Sequence, residues 1–153
     1  HLEDSNHIAV LHKGCYYKVI IYHKGRLLNS REIQFQLSCI LSGDAEATQA
    51  ERNMASLTAG DRVKWAEVRE KYFKSGVNKS SLDIIEKAAF MLVLHDGPFE
   101  FDILDIKRRE ELHKYGKRCM TGDVNEYWFD KSFNLCVGTN ARVGKRVFMN
   151  FGG

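Results

Sequence analysis

Six histidines, His1, His7, His12, His23, His95 and His113, are the side chains best suited to general acid–base work near neutral pH. His95 is the strongest of them on position. It closes the apolar run 88–95 (AAFMLVLH) and precedes Asp96, so a buried strand would present it at its carboxyl end. The plainer reading, a histidine hydrogen-bonded in a turn, is preferred. His12 and Cys15 make a thiol–imidazole pair only if the turn at Gly14 brings them together. His12 and His23 could face each other across a hairpin, but two histidines alone are a poor metal site, and no metal is expected. Cys15, Cys39, Cys119 and Cys136 contain no C-x-x-C pair. Each lies beside apolar or aromatic residues, as buried free thiols in a reducing compartment do. Gly138 and Gly144 are too far apart for a phosphate loop, and no Walker or G-x-S-x-G pattern exists.

The elements that would position these groups are legible from periodicity. Residues 7–12 and 15–23 are rich in β-branched and aromatic types around Gly14 and read as a hairpin, the second strand closed by Gly25. Asn29 and Glu32 form a capping-box pattern for a helix with Ile33, Leu37, Ile40 and Leu41 on its apolar face, ended by Gly43. Residues 44–57 are left open. Thr58 and Asp61 repeat the cap pattern before a helix carrying Val63, Trp65, Val68, Tyr72 and Phe73 up to Gly76. Trp65, Tyr72 and Phe73 read as core, not as an aromatic box. Ser80 and Asp83 suggest a further short helix, in which Asp83 and Glu86 would cap and pair. The run 88–95 fits a buried central strand. Residues 96–101 hold the one proline and read as a loop. Residues 103–115 read as a charged surface helix stopped by Gly116, 132–137 as a strand, 138–140 as a turn, and 147–151 (VFMNF) as a last strand. The expected class is α/β or α+β, a mixed sheet with flanking helices.

Composition narrows the function classes. The 153 residues are 44% hydrophobic and 28% charged with a net charge of +3, ordinary for a globular domain. The densest basic cluster, Lys107, Arg108 and Arg109, is followed at once by Glu110 and Glu111. That is a solvated helix face and not a phosphate-tracking stripe, so no nucleic-acid partner is expected. No apolar run approaches the roughly 18–20 residues of a membrane span. The first residues, HLEDSNHIAV, resemble neither a signal nor a transit peptide and lack an initiator methionine, so the chain is expected to begin in mid-sequence or after processing.

Three segments carry more specific information: YHKGRLLNSREIQ (22–34, preceded by HIAVLHKGCYYKV), LTAGDRVKWAEVREKYFKSGVNKSSLDIIEKAAFMLVLHD (57–96) and YWFDKSFNLCVGTNARVG (127–144). In this order and spacing they resemble the choline/carnitine acyltransferase family, most of all its palmitoyl-transferring members of the outer mitochondrial membrane. The resemblance spans 7–144 with a looser stretch at 97–124. It implies a partial acyl-CoA-dependent acyltransferase domain occupying 1–153. It also implies the family's chemistry: transfer of a fatty acyl group between coenzyme A and the carnitine hydroxyl. A histidine serves as general base without metal, cofactor or covalent intermediate. Acyl-coenzyme A, carnitine and the remainder of the parent domain are the implied partners.

The family's histidine lies in a Glu-His-Ser-x-x-Asp pattern shortly after the WFDKSF strand. Here the text after Gly144 is KRVFMNFGG, which puts Phe148 in the glutamate's place and Met149 in the histidine's. A thioether accepts no proton at neutral pH, so no catalytic residue is assigned and the chain alone is expected to be inactive. Residues 145–153 read as a divergent tail, and translated intron or shifted frame is the expected origin. Tyr127 stands where the family usually has arginine, which removes any charge-pairing role there. Trp128, Asp130 and Lys131 are the candidates for an active-site wall, with Asp130 and Lys131 expected as a charged pair. The rival readings are a non-catalytic partner or ligand-binding module of the same half-fold, and a free-standing hydrolase or transferase using His95.

Overall fold

A computed structural model describes residues 5–99, 109–121 and 124–147. β1 (His7–His12) and β2 (Cys15–Ile20) form the expected hairpin. Lys13 and Gly14 both take left-handed backbone, at φ 50° and 80°, as a two-residue turn matched to strand twist requires. β1 is buried along its whole length, so it is an interior strand. β5 (Met91–Leu94) lies parallel to it with Met91 opposite Ala9, and β6 (Phe133–Val137) lies parallel to β5 with Asn134 opposite Met91. β7 (Val143–Val147) returns antiparallel, placing Val147 opposite Phe133. The sheet order is β2-β1-β5-β6-β7, mixed in direction as expected. A small separate ribbon joins β3 (Tyr22–His23) and β4 (Arg26–Leu27).

Helices cover both faces. α1 (Ser30–Leu41) starts at the predicted capping box: the Asn29 side chain accepts from Glu32 N at 3.1 Å, and the Glu32 carboxylate accepts from Asn29 N at 2.8 Å. Its Ile33, Leu37 and Ile40 pack on Ile8, Val10, Val19 and Leu92. The other face carries the larger core. There Ala9, Leu11, Met91, Val93 and Cys136 meet Trp65 of α3 (Arg62–Tyr72), Leu82 and Ile85 of α4 (Gly76–Lys87), and Trp128. Full burial of side chains such as Leu82 or Ile85 stabilises by about 1.5–3 kcal/mol each. α2 (Gln49–Arg52) and a 3-10 turn (Met54–Thr58) fill the stretch left open in the sequence, and α5 (Arg109–Thr121) leads toward β6.

Several local expectations are corrected. The strand read over 15–23 breaks at Ile21, and Gly25 turns the β3–β4 ribbon instead of closing β2. The cap of α3 is Asp61, whose carboxylate accepts from Val63 N and Lys64 N, while Thr58 belongs to the preceding 3-10 turn. Gly76 opens α4 at φ 72° instead of ending α3, and Ser80 lies inside α4, its hydroxyl bonded to Gly76 O. α5 runs through Gly116. The last strand is Val143–Val147, so most of the expected 147–151 lies outside the described residues, as do 103–108 of the expected helix. Trp65 is core and Phe73 packs against it, but Val63 and Tyr72 are exposed. Cys136 is buried and Cys15 half-buried, whereas Cys39 is exposed. His12 pairs with Cys15 in register and not with His23. Its Nδ1 contacts Leu94 O, and the Cys15 thiol donates to Ala45 O, so the two form no catalytic pair.

Candidate functional site

Residues of the second and third characteristic segments, 57–96 and 127–144, converge on one place, the turn 127–131 that leads into β6, while 22–34 packs on the other face of the sheet. Each end of the turn is held by a different element. The side-chain amide of Asn134, fully buried on β6, accepts from Trp128 N and donates to Trp128 O, both at 3.1 Å. Thr58 Oγ1 donates to Ala55 O at 2.7 Å and accepts from Phe129 N at 2.9 Å, which satisfies a backbone donor from a point 71 residues away. Asp130 reaches α3: one carboxylate oxygen accepts from Arg62 Nη1 at 2.7 Å, the other from Trp65 Nε1 at 2.7 Å. Lys131 reaches the carboxyl end of α4, where Nζ donates to Glu86 O at 2.6 Å and to Ala88 O.

The expected Asp130–Lys131 ion pair is therefore replaced by two separate anchors. Asp130 is not a surface bridge, since its side chain is only 20% exposed. Lys131 sits on the carbonyls that α4 leaves unsatisfied, where a cation also meets the negative end of the helix dipole. Burial pushes its pKa down, and the nearby Glu86 charge opposes that. Glu86 itself pairs with Arg69 at 2.6 Å, and Asp83 pairs with Lys79 at 2.8 Å. Trp65, 2% exposed, and Trp128, 1% exposed, meet edge to face at 6.4 Å, with Tyr16 edge-on to Trp128 at 5.8 Å and the Arg69 guanidinium over the Trp65 ring. Tyr127 is buried beside them.

This cluster is built to hold position. Both Asp130 oxygens are committed to donors, and Lys131 gives two of its three N–H bonds to carbonyls, so neither is poised to exchange protons with a substrate. The position it holds is specific. The turn lies at the amino-terminal ends of β5 and β6, and β7 runs toward that same end. His95, by contrast, follows the carboxyl end of β5. Its side chain is 7% exposed, packed edge-on against Phe99 at 5.0 Å, with Nδ1 3.8 Å from Glu126 Oε1, beyond hydrogen-bond reach. Among the described residues no group of three or more His, Cys, Asp or Glu could hold a metal, and no helix is long and apolar enough to cross a membrane. Sequence reasoning singled out Trp128, Asp130 and Lys131 but missed Arg62, Trp65 and Asn134 as their partners and misread Thr58 as a helix cap. LTAGDR and the tryptophan after it were the available signal.

Comparison with known proteins identifies the family of these segments. The family profile described as Choline/Carnitine o-acyltransferase matches residues 1–147. The chain is similar to the human Carnitine O-palmitoyltransferase 1, liver isoform, with 43% identity over 94% of this chain and 18% of that protein. It is similar to the Bos taurus muscle isoform, at 42% identity with the same coverage. Human Carnitine O-palmitoyltransferase 2, mitochondrial, is 35% identical over 88% of this chain and 19% of its own length. The chain thus spans less than a fifth of these curated relatives' length. A profile match over nearly every residue and identities of this size place it plainly: the chain belongs to the choline/carnitine O-acyltransferase family.

Proposed function

We propose that this chain is a scaffold segment of a carnitine O-palmitoyltransferase whose full-length form moves long-chain acyl groups between coenzyme A and carnitine. In that reaction a histidine takes the carnitine hydroxyl proton, the alkoxide attacks the thioester carbonyl, and the same histidine protonates the departing thiolate. No metal or cofactor enters. The observation that carries the reading is the convergence of LTAGDR, EKAAF and WFDKSF on the one turn beside which β7 runs. Trp128, Asp130 and Lys131 form the active-site wall by fixing that turn. The base itself falls at Met149 here, so the segment alone transfers nothing. Acyl-coenzyme A and carnitine are held by the remainder of the parent domain, and the parent resides at the mitochondrial outer membrane, a placement that rests on the family resemblance of the sequence. The test is to read the spliced transcript past codon 144. A junction that joins Gly144 to a segment encoding Glu-His-Ser is the expected result. A transcript that encodes KRVFMNFGG and then stops overturns it and leaves a non-catalytic module of the same fold.

A further inference from the structure

His7 has no part in the chemistry discussed so far, yet it is 4% exposed and sits at the first position of β1. Its Nε2 lies 2.7 Å from Ile84 O, and its Nδ1 lies 2.8 Å from Asn6 Oδ1. The Ile84 backbone carbonyl can only accept, so Nε2 carries the proton and donates to it, and a neutral ring meets Asn6 with the side-chain amide turned so that its N–H donates to Nδ1. The Ser5 hydroxyl donates to Lys87 O at 2.9 Å. Lys131 Nζ takes Glu86 O and Ala88 O. Three side chains from the entries to β1 and β6 thus bond four carbonyls, those of Ile84, Glu86, Lys87 and Ala88, at the end of α4. α4 has no left-handed residue closing it: Ala88 is extended, at φ −63° and ψ 145°. The usual local closure of a helix end is absent, and tertiary donors do its work. The backbone continues the same junction, because Ala89 N donates to His7 O at 2.9 Å and Ala9 N to Phe90 O at 3.1 Å.

We infer that His7 is a positioning residue of the acyltransferase site, gripping the end of α4 from β1 as Lys131 grips it from β6. The inference rests on the acyltransferase reading above. With both grips in place, the amino-terminal ends of β1, β5 and β6 are fixed against one helix terminus. That is the end of the sheet toward which β7 carries the chain. With the His7 imidazole lost, β1 keeps only the Ser5 hydroxyl and the Ala89–His7 backbone bond at the end of α4, and the reacting groups downstream lose their alignment without losing their binding contacts.

The experiment uses the full-length acyltransferase that carries this segment, with palmitoyl-coenzyme A and carnitine as substrates, and follows amide exchange at residues 85–88 in the same proteins. His7→Phe keeps bulk but removes the donor; His7→Gln keeps an N–H that reaches Ile84 O. For His7→Phe, kcat is expected to fall about tenfold, with both KM values within about twofold, since misplacement costs rate before affinity. Exchange at the end of α4 quickens. His7→Gln recovers kcat to within about threefold of the parent enzyme. A folded His7→Phe enzyme with undiminished kcat overturns the proposal, as does a His7→Gln enzyme as impaired as His7→Phe, or a loss confined to KM. Lys131→Met removes the partner grip and must show the same split. Unchanged kcat there overturns the proposal whether or not the His7→Phe enzyme folds. A parent enzyme that transfers no acyl group while its α4 exchange is slow overturns the acyltransferase reading instead, leaving the grip itself intact.

Discussion

Replacing Asp130 by alanine separates the two bonds that its carboxylate makes, and the structure says which one matters. Both are 2.7 Å long, but their surroundings differ. The Arg62 side chain is 64% exposed, so that ion pair is screened and contributes at most about 1 kcal/mol. Trp65 is 2% exposed, so its indole N–H has no water to turn to once the carboxylate is gone. A hydrogen bond to a charged acceptor contributes roughly 1.5–3 kcal/mol, and a stranded buried donor carries that whole cost. Asp130→Ala is therefore expected to destabilise the chain by about 2–4 kcal/mol. Asp130→Asn, which still offers one oxygen to Trp65, is expected to cost about 1 kcal/mol. The assay is urea unfolding of the purified chain, comparing midpoints at constant slope. A double-mutant cycle completes it. The coupling of Asp130 to Trp65, measured with Trp65→Phe, is expected to exceed that to Arg62 and to persist in high salt, while the Arg62 coupling fades. Equal couplings, or an Asp130→Ala loss below about 0.5 kcal/mol, would refute the reasoning.

Two further outcomes follow from other parts of the molecule. Burial holds the His7 pKa below its ordinary 6.5 against the opposing pull of the Ile84 hydrogen bond, with the Lys18 and Lys131 charges adding to the lowering, so the fold favours the neutral ring. Stability from this group is then fully present above about pH 6.5 and is lost as pH falls through 6.5 toward the lowered folded value. Urea midpoints taken between these limits should decline with acid in the parent chain and decline less in His7→Gln. Gly144 is buried on β7, and a Cβ there would run into the Tyr115 side chain, with the ring carbon Cζ only 2.6 Å away. Gly144→Ala is expected to cost about 1–3 kcal/mol by overpacking. Tyr115→Ala in the same chain should show a smaller added cost for Gly144→Ala, measured again by urea midpoint; an unchanged cost would place the strain elsewhere.

What the sequence revealed followed the range of the interaction. The α1 capping box was readable because Asn29 and Glu32 bond each other across three residues. The β1–β2 hairpin and the central β5 were readable because their apolar runs are local. Thr58 was misread for the same reason in reverse: its spacing to Asp61 mimics a cap, while its hydroxyl serves Phe129 N, 71 residues on. Gly76 and Gly116 read as stops, since glycine disfavours helix interiors, yet one opens α4 and the other sits inside α5. Asp130 and Lys131 were found as residues but not as contacts. Adjacent opposite charges suggest a pair, and only the packing of α3 and the end of α4 against the turn shows that each faces away to its own partner. His95 illustrates the converse, a residue whose strand-end position suggested chemistry and whose burial against Phe99 removes it from solvent.

The claim at the centre of this account is that the chain supplies a positioned wall and no base. Incubating the purified chain with palmitoyl-coenzyme A and carnitine, and following thiol release, tests it most directly. The account predicts release no faster than in buffer, with no acylcarnitine formed. Carnitine-dependent thiol release above that background, abolished by His95→Ala, would contradict it.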